Sequence, residues 1–540
     1  MDYDLIIEDG FIIDGSGNPG FYGQVGIKDG KIKKVGTRLE GETTRRISAD
    51  GLAVTPGFID PHVHEELAIL TGAEMTDYIR QGVTTLISGN CGHSVHPGPA
   101  KAVYEYMSRN GLLSDSGEEK ASRLRGWSNL EEYRELVNEL GLQINFGILL
   151  GHGTIRWLAM GGLDQGAPDQ QELNQMKEMV SSGMEMGALG ISTGLSYLPG
   201  RMAKTDEIVE LAKIVAEHDG TYASHIRYEL GALKAVKEVI EISEKSGVRS
   251  QVSHLTPGKT DAYRAIEDAR ENGIEIAVDM IPKSSGHCTS KRRMLQFIRA
   301  LTPSLFEKDV SEVQLAIKNL ESREKIKEQS ELLFKEEWEN ILFINTDDQS
   351  IEGKSAAELA EAVGEDPGDF ILDMLAAEDQ DFTIWLGGYS RGDFPGEELD
   401  SDIANNPLVM VGSDRIFDEG DDPYAWYELF RSGAFPFFFK MMRDKSVRLE
   451  EIVRRVTSLP AQQFRLSSRG LHKPGLVADI AIIDFANYSY PDEDNIDYGD
   501  PFATAEGVKH LFINGQLVCE NGELIDLKPG KFVGLNGRDY

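Results

Sequence analysis

The residues of this chain best suited to chemistry are a set of histidines, one cysteine and one aspartate, each placed at the end of an apolar run. His62-Val63-His64 comes first, and residues two apart on a strand project to the same side, so both imidazoles can grip one ion. Cys91, in Gly89-Asn90-Cys91-Gly92, offers a thiolate that can bind or bridge a soft divalent metal such as zinc. His225 and His254 each follow a serine, in Tyr222-Ala223-Ser224-His225 and Gln251-Val252-Ser253-His254, about one strand-plus-helix unit apart. Neighbouring strands would bring them together. Taken singly, each has a plainer reading: a His-x-His is as often structural, and a lone buried cysteine is usually inert. Taken together, Cys91, His225 and His254 make a three-point zinc site, with His62 and His64 beside it. Asp414, in Val411-Gly412-Ser413-Asp414, can take a proton from metal-activated water and return it to a leaving nitrogen. Its alternative is a hydrogen-bonded turn aspartate.

Such a set needs a scaffold that ends many strands at one place. Apolar runs alternate with charged segments of helical period, such as Asp206 to His218 and Gly231 to Lys245, the pattern of repeated strand–helix units. Eight strands are expected, ending near His62-Val63-His64, Asn90-Cys91, Gly151-His152, Thr193-Gly194, Ser224-His225, Ser253-His254, Val278-Asp279 and Ser413-Asp414. The fold class is therefore α/β, a (β/α)₈ barrel over residues 56–469, with its reactive groups on the face where such barrels carry catalysis. Gly-rich hairpin texture at both ends of the chain predicts one small β-sandwich from residues 1–55 and 470–540. A Lys-, Glu- and Leu-rich stretch, 287–344, predicts a small helical insertion beside the barrel mouth, either a lid or a stabilising excursion. Phe435-Pro436-Phe437-Phe438-Phe439 reads as buried core.

Composition narrows the partners. With 90 Asp and Glu against 55 Lys and Arg, the formal charge is -35, a field that repels nucleic acid and anionic lipid headgroups. Three widely spaced cysteines are not a disulfide framework, which points to a reducing compartment. The chain begins without a basic stretch followed by an apolar core, and no run of about 18 uncharged apolar residues occurs. A cytoplasmic protein acting on a small molecule is expected; composition says nothing of oligomeric state.

These motifs resemble the amidohydrolase superfamily and, within it, the D-aminoacylase (N-acyl-D-amino-acid deacylase) family, over most of the chain. The resemblance is carried by Asp14-Gly15-Ser16-Gly17, Pro56-Gly57-Phe58-Ile59-Asp60, Gly89-Asn90-Cys91-Gly92, Gly151-His152-Gly153-Thr154-Ile155-Arg156, Gly194-Leu195-Ser196-Tyr197-Leu198-Pro199-Gly200, Ser224-His225-Ile226-Arg227, Gly412-Ser413-Asp414 and Thr457-Ser458-Leu459-Pro460-Ala461. It implies hydrolysis of an N-acyl-D-amino acid to a carboxylate and a D-amino acid. It also implies one tightly held zinc on Cys91, His225 and His254, a weaker second position near His62 and His64, and Asp414 as the catalytic aspartate. Some related enzymes bridge two metals with a carboxylated lysine on the fourth strand. That strand here, Gly187 to Thr193, has no lysine, and Cys91 takes the bridging place.

The chain departs from the family around the substrate. Two acidic positions after the His pair are Glu65-Glu66 rather than aspartates, and the lysine expected two residues after the second motif histidine is Thr256. A Tyr-Pro-Tyr becomes Ile281-Pro282-Lys283, and the residue after Asp414 is Arg415 rather than glycine. Arg227, Lys283 and Arg415 are the cations available for a substrate carboxylate, and His152 and Tyr197 complete the expected substrate pocket. Two other readings stay open: a different amide, such as a cyclic amide or a D-residue dipeptide, and an inactive barrel that only binds.

Overall fold

A computed structural model describes residues 1–113, 125–163, 166–255, 258–282, 287–329, 338–344, 346–378, 380–386, 404, 406–416, 426–491 and 503–540. Its centre is a set of parallel strands. Phe58–Asp60, Val83–Ser88 and Asn145–Ile148 pair in parallel, and Leu150–Gly151 continues the third strand. From there the ladder runs through Gly190–Gly194, Thr221–His225, Arg249–Val252, Ile276–Met280 and Val409–Val411, every pair parallel. Every residue of Val83–Ser88, Gly190–Gly194 and Ile276–Met280 is buried, because helices cover one face and the barrel interior fills the other. That is why these segments read as continuous apolar runs. The eighth strand returns to the first: Asp414 donates its N–H to the His62 carbonyl at 2.9 Å, and Arg415–Ile416 pairs with Val63–His64. These are the eight strands expected, closed as a barrel.

The covering helices turn one apolar side inward. Thr205–Glu217 buries Ile208, Val209, Leu211, Ala212 and Val215 at helical spacing, and Gln170–Glu185 starts at an Asp169–Glu172 capping box. The aromatic run behaves as core: Phe435 and Phe439 stack on Phe58, with ring centres 5.6 and 5.4 Å away. No helix among the described residues is long and apolar enough to cross a membrane.

Both chain ends share one nine-stranded sheet, in which Ala53–Pro56 pairs antiparallel with Ile480–Ile483. Ile32 near one edge and Phe512 near the other lie in the same apolar cluster, so the sheet folds over on itself. The last residues leave this sheet and lie on the barrel, where Phe532 bridges to Phe146 on the third strand.

The insertion after the seventh strand differs from its expected form. Helices Lys291–Leu301, Val310–Ile317 and Leu320–Gln329 are present, but so is an antiparallel sheet of His287–Ser290, Thr383–Leu386, Ile341–Ile344 and Trp426–Glu428. Its apolar cluster runs from Leu295 to Ile384, past the 344 boundary. The physical reason is long-range pairing: Ser290 lies opposite Thr383, a partner that local composition does not reveal.

Candidate metal centre

The barrel brings five of the predicted ligands and Asp414 to one place. Two sets of donor atoms, each lying within 4.8 Å of one another, share the Cys91 sulfur: Cys91, His225 and His254, and Cys91, His62, His64 and Asp414. Cys91 Sγ is 3.3 Å from His62 Nε2, 3.4 Å from His254 Nε2 and 3.9 Å from His225 Nδ1. His225 Nδ1 and His254 Nε2 face each other at 2.8 Å. Tetrahedral zinc with bonds of about 2.3 Å to sulfur and 2.0 Å to nitrogen would put S and N about 3.5 Å apart and two nitrogens about 3.3 Å apart. The first set is close to that spacing, and its soft thiolate and two imidazoles are a zinc donor set. Asp414 Oδ1 completes the second set, 3.2 Å from both His62 Nε2 and His64 Nε2.

Charge in this cluster is set by its neighbours. Burial opposes a charged thiol at Cys91, but His62 and His254 outweigh it and hold the thiol well below its ordinary range. At Asp414 burial is likewise outweighed, by His62 and His254, and the carboxyl lies well below the usual carboxylate range. Burial works against protonating His64, yet Asp414 and Cys91 carry it up to about 10. A divalent cation would take over the work those protons do.

The backbone that presents these groups is unusual. Cys91, His254 and Asp414 all have left-handed φ, at 51°, 35° and 51°. Each such residue costs on the order of 1–3 kcal/mol unless its surroundings hold it, a pattern concentrated at functional sites. Gly194 shows how close the packing is: a Cβ there would meet the Cys91 carbonyl oxygen at 2.2 Å.

Groups behind the ligands fix their aim. Asp279, at the end of the seventh strand, lies 3.3 Å from His62 Nδ1, accepts the His254 N–H at 2.9 Å and takes the Gln251 amide at 2.5 Å. Tyr228 Oη donates to the His254 carbonyl at 2.9 Å and lies 3.1 Å from His254 Nδ1, its ring stacked on the imidazole. Such partners orient metal-ligating histidines. Asp60, which burial pushes up to about 7, accepts N–H groups from His62 and Ser413. His93 packs between Tyr106 and Tyr197, with its Nδ1 2.9 Å from Tyr106 Oη. Sequence reasoning missed Asp279, Tyr228 and His93. For Asp279 a signal existed, since it closes a barrel strand as the ligands do.

The expected substrate contacts divide. Tyr197 is at the site, its ring centre 4.2 Å from that of His225. His152 is turned into a buried cluster, its Nε2 2.8 Å from Glu207 Oε1, which Arg156 also reaches at 3.1 Å. Arg227 pairs with Glu238 at 3.1 Å and donates to the carbonyls of Leu195, Arg201 and Ala203, so its fork is already spent within the fold. Arg415 is buried in an ion pair with Glu65, its Nε 3.1 Å from Glu65 Oε1. Lys283, with Thr256, lies outside the described residues.

Comparison with known proteins agrees with this geometry. A profile described as the amidohydrolase family matches residues 45–292. The chain is similar to a D-aminoacylase of Alcaligenes xylosoxydans xylosoxydans, 27% identical over 535 residues, covering 96% of this chain and 95% of that protein. It is also similar to an N-acyl-D-glutamate deacylase of the same organism, 28% identical with 95% and 93% covered. Among solved structures, an N-acyl-D-glutamate deacylase from Bordetella bronchiseptica superposes with a TM-score of 0.73 at 26% identity, covering 99% of this chain and 100% of that one. That crystal structure holds zinc and a phosphonate inhibitor that mimics the tetrahedral intermediate of its reaction.

Proposed function

We propose that this chain is an amidohydrolase that hydrolyses the amide bond of N-acyl-D-amino acids to release a carboxylate and a D-amino acid. The observation that carries the reading is the meeting of a Cys91-His225-His254 donor set with a carboxylate, Asp414, held 3.2 Å from two further imidazoles. Similarity over 95% or more of the chain to a D-aminoacylase and an N-acyl-D-glutamate deacylase supports the substrate class.

Zinc is the metal this donor set fits: Cys91, His225 and His254 would hold one ion tightly, and His62 and His64, with Cys91, would hold a second more weakly. Bound there, it would polarise the amide carbonyl and make a water acidic near neutral pH. The chain's own groups do the rest. Asp414, a carboxylate kept ionised by its histidines, accepts the water's proton and carries it to the departing nitrogen. Tyr197, beside His225, hydrogen-bonds the carbonyl oxygen as charge builds on it. Tyr228 and Asp279 hold the His254 and His62 rings in the places from which they would bind a metal. A cytoplasmic setting goes with this reading, because Cys91 and Cys519 are both unpaired thiols, as in proteins of reducing compartments.

The test is metal analysis of the purified protein, followed by a side-by-side assay of N-acyl-D-amino acids, their L-enantiomers, hydantoins and dipeptides. Activity confined to cyclic amides would sink the deacylase reading. Asp414→Asn should keep zinc and lose about 10² to 10⁴ in kcat. Undiminished turnover would remove Asp414 from the chemistry.

A further inference from the structure

We propose that Arg415 is a positioning residue: its buried ion pair with Glu65 clasps the segment bearing Asp414 to the segment bearing His62 and His64, and so sets the proton carrier over the metal ligands. The role of Asp414 in this inference rests on the reading above. The two segments touch through a very short parallel ladder, with Arg415 opposite Val63 and Ile416 opposite His64. Two residues of parallel pairing hold little by themselves. The side chains supply the rest. Arg415 Nε is 3.1 Å from Glu65 Oε1, its Nη2 is 3.6 Å from Asp77, and its guanidinium lies 4.8 Å from the centre of the Tyr78 ring. Tyr78 Oη donates to the same Glu65 oxygen at 2.8 Å, and the Glu65 backbone N–H donates to Ser88 Oγ at 2.9 Å.

Every one of these partners comes from residues 65–88, directly after the His pair, so the contact ties Asp414 to its own ligands and not to a distant surface. Asp414 needs such a tie. Its left-handed backbone, φ 51°, is held from within by its N–H on the His62 carbonyl, and from before by the Ser413 N–H on Asp60. Arg415 anchors it from behind. With 4% exposure for Arg415 and none for Glu65, the pair is shut away from water. If Arg415 swung to a substrate, Glu65 would keep the Tyr78 hydroxyl but lose its cation, which is why Arg415 positions and does not bind.

The deciding variant is the double substitution Glu65→Met with Arg415→Met in the zinc-loaded enzyme, because removing both partners leaves no lone buried charge. A positioning role predicts that it folds, retains the tightly bound zinc by metal analysis, and loses about tenfold or more in kcat with KM little changed. Arg415→Lys, which keeps a charge opposite Glu65, should lie between the two. Wild-type kcat in the folded double variant overturns the proposal. Should that variant not fold, Glu65→Asp withdraws the carboxylate by one methylene while keeping the charge, and an unchanged kcat there overturns it equally. A readout independent of substrate is the visible spectrum of the cobalt-substituted protein. Loss of the clasp should shift it, because Asp414 stands beside His62 and His64, and an identical spectrum counts against the clasp. If the wild type cleaves no N-acyl-D-amino acid, the substrate reading falls by itself, and the cobalt spectrum still decides this one.

Discussion

Asp279 is the best place to test whether the metal centre is built as described. Its Oδ1 faces His62 Nδ1 at 3.3 Å and the His254 N–H at 2.9 Å, while Oδ2 takes the Gln251 amide at 2.5 Å. Asp279→Asn keeps the shape and removes the charge. The new amide nitrogen would meet the Gln251 amide nitrogen, but Gln251 Oε1 is a buried atom without a partner, so turning that amide over restores a donor–acceptor pair. The fold should therefore lose about 1 kcal/mol or less, a fall in the metal-free Tm of under about 4 °C. The metal should lose far more. A carboxylate behind a ligating histidine is worth about 10- to 100-fold in metal affinity, or about 1.4 to 2.8 kcal/mol at about 1.4 kcal/mol per tenfold.

The loss should also be uneven. Asp279 touches the side chain of His62 but only the backbone of His254, so the weaker zinc equivalent should suffer most and the tight one little. Chelator competition monitored with a zinc-sensitive dye measures both equivalents. Affinity of the weaker equivalent unchanged within about threefold, in a protein of unchanged Tm, would refute the idea that Asp279 orients His62.

Cys91→Ser should weaken both zinc positions at once, since its sulfur belongs to both donor sets; loss of only one equivalent by metal analysis would show that Cys91 does not bridge. The pH dependence of the metal-free protein follows from His64, whose folded pKa of about 10 exceeds its ordinary 6.5. A raised pKa contributes stability that is complete below the unfolded value and is lost as pH climbs through the folded one. Urea unfolding in chelator should thus show stability falling between pH 6.5 and about 10. Zinc affinity should rise over the same window as the proton leaves. A flat profile would contradict the assigned proton.

What the sequence made legible, and what it hid, follows from how each feature is encoded. Barrel strands buried on both faces must be apolar throughout, so Val83–Ser88 and Ile276–Met280 were visible as runs. Candidate ligands were visible because few residue types bind zinc and each stands where such a run stops. Roles that depend on a neighbour from elsewhere in the chain were not. Arg227 and Arg415 stood as candidate substrate anchors or structural ion-pair residues alike, because Glu238 and Glu65 carry no mark of being their partners. Tyr228 and His93 are ordinary residues until the fold sets one on His254 and the other against Tyr106. The insertion ran past its expected end for the same reason, since Thr383–Leu386 belongs to it only through pairing with His287–Ser290.

The strained residues suggest who builds the site, the ion or the protein. In Cys91, His254 and Asp414 the backbone turns left-handed at the point where each strand hands its side chain to the centre. Each turn is held by a different barrel element. Ser192 Oγ takes the N–H of Gly92 beside Cys91, Asp279 takes the His254 N–H, and the His62 carbonyl takes the Asp414 N–H. Strain on the order of 1–3 kcal/mol per residue is borne by contacts that do not involve metal. The donor atoms therefore converge because the strand ends force them to. This separates the centre from small zinc modules, in which the ion supplies the folding energy. Here the fold is secured by the barrel, and the converging donors can be devoted to chemistry.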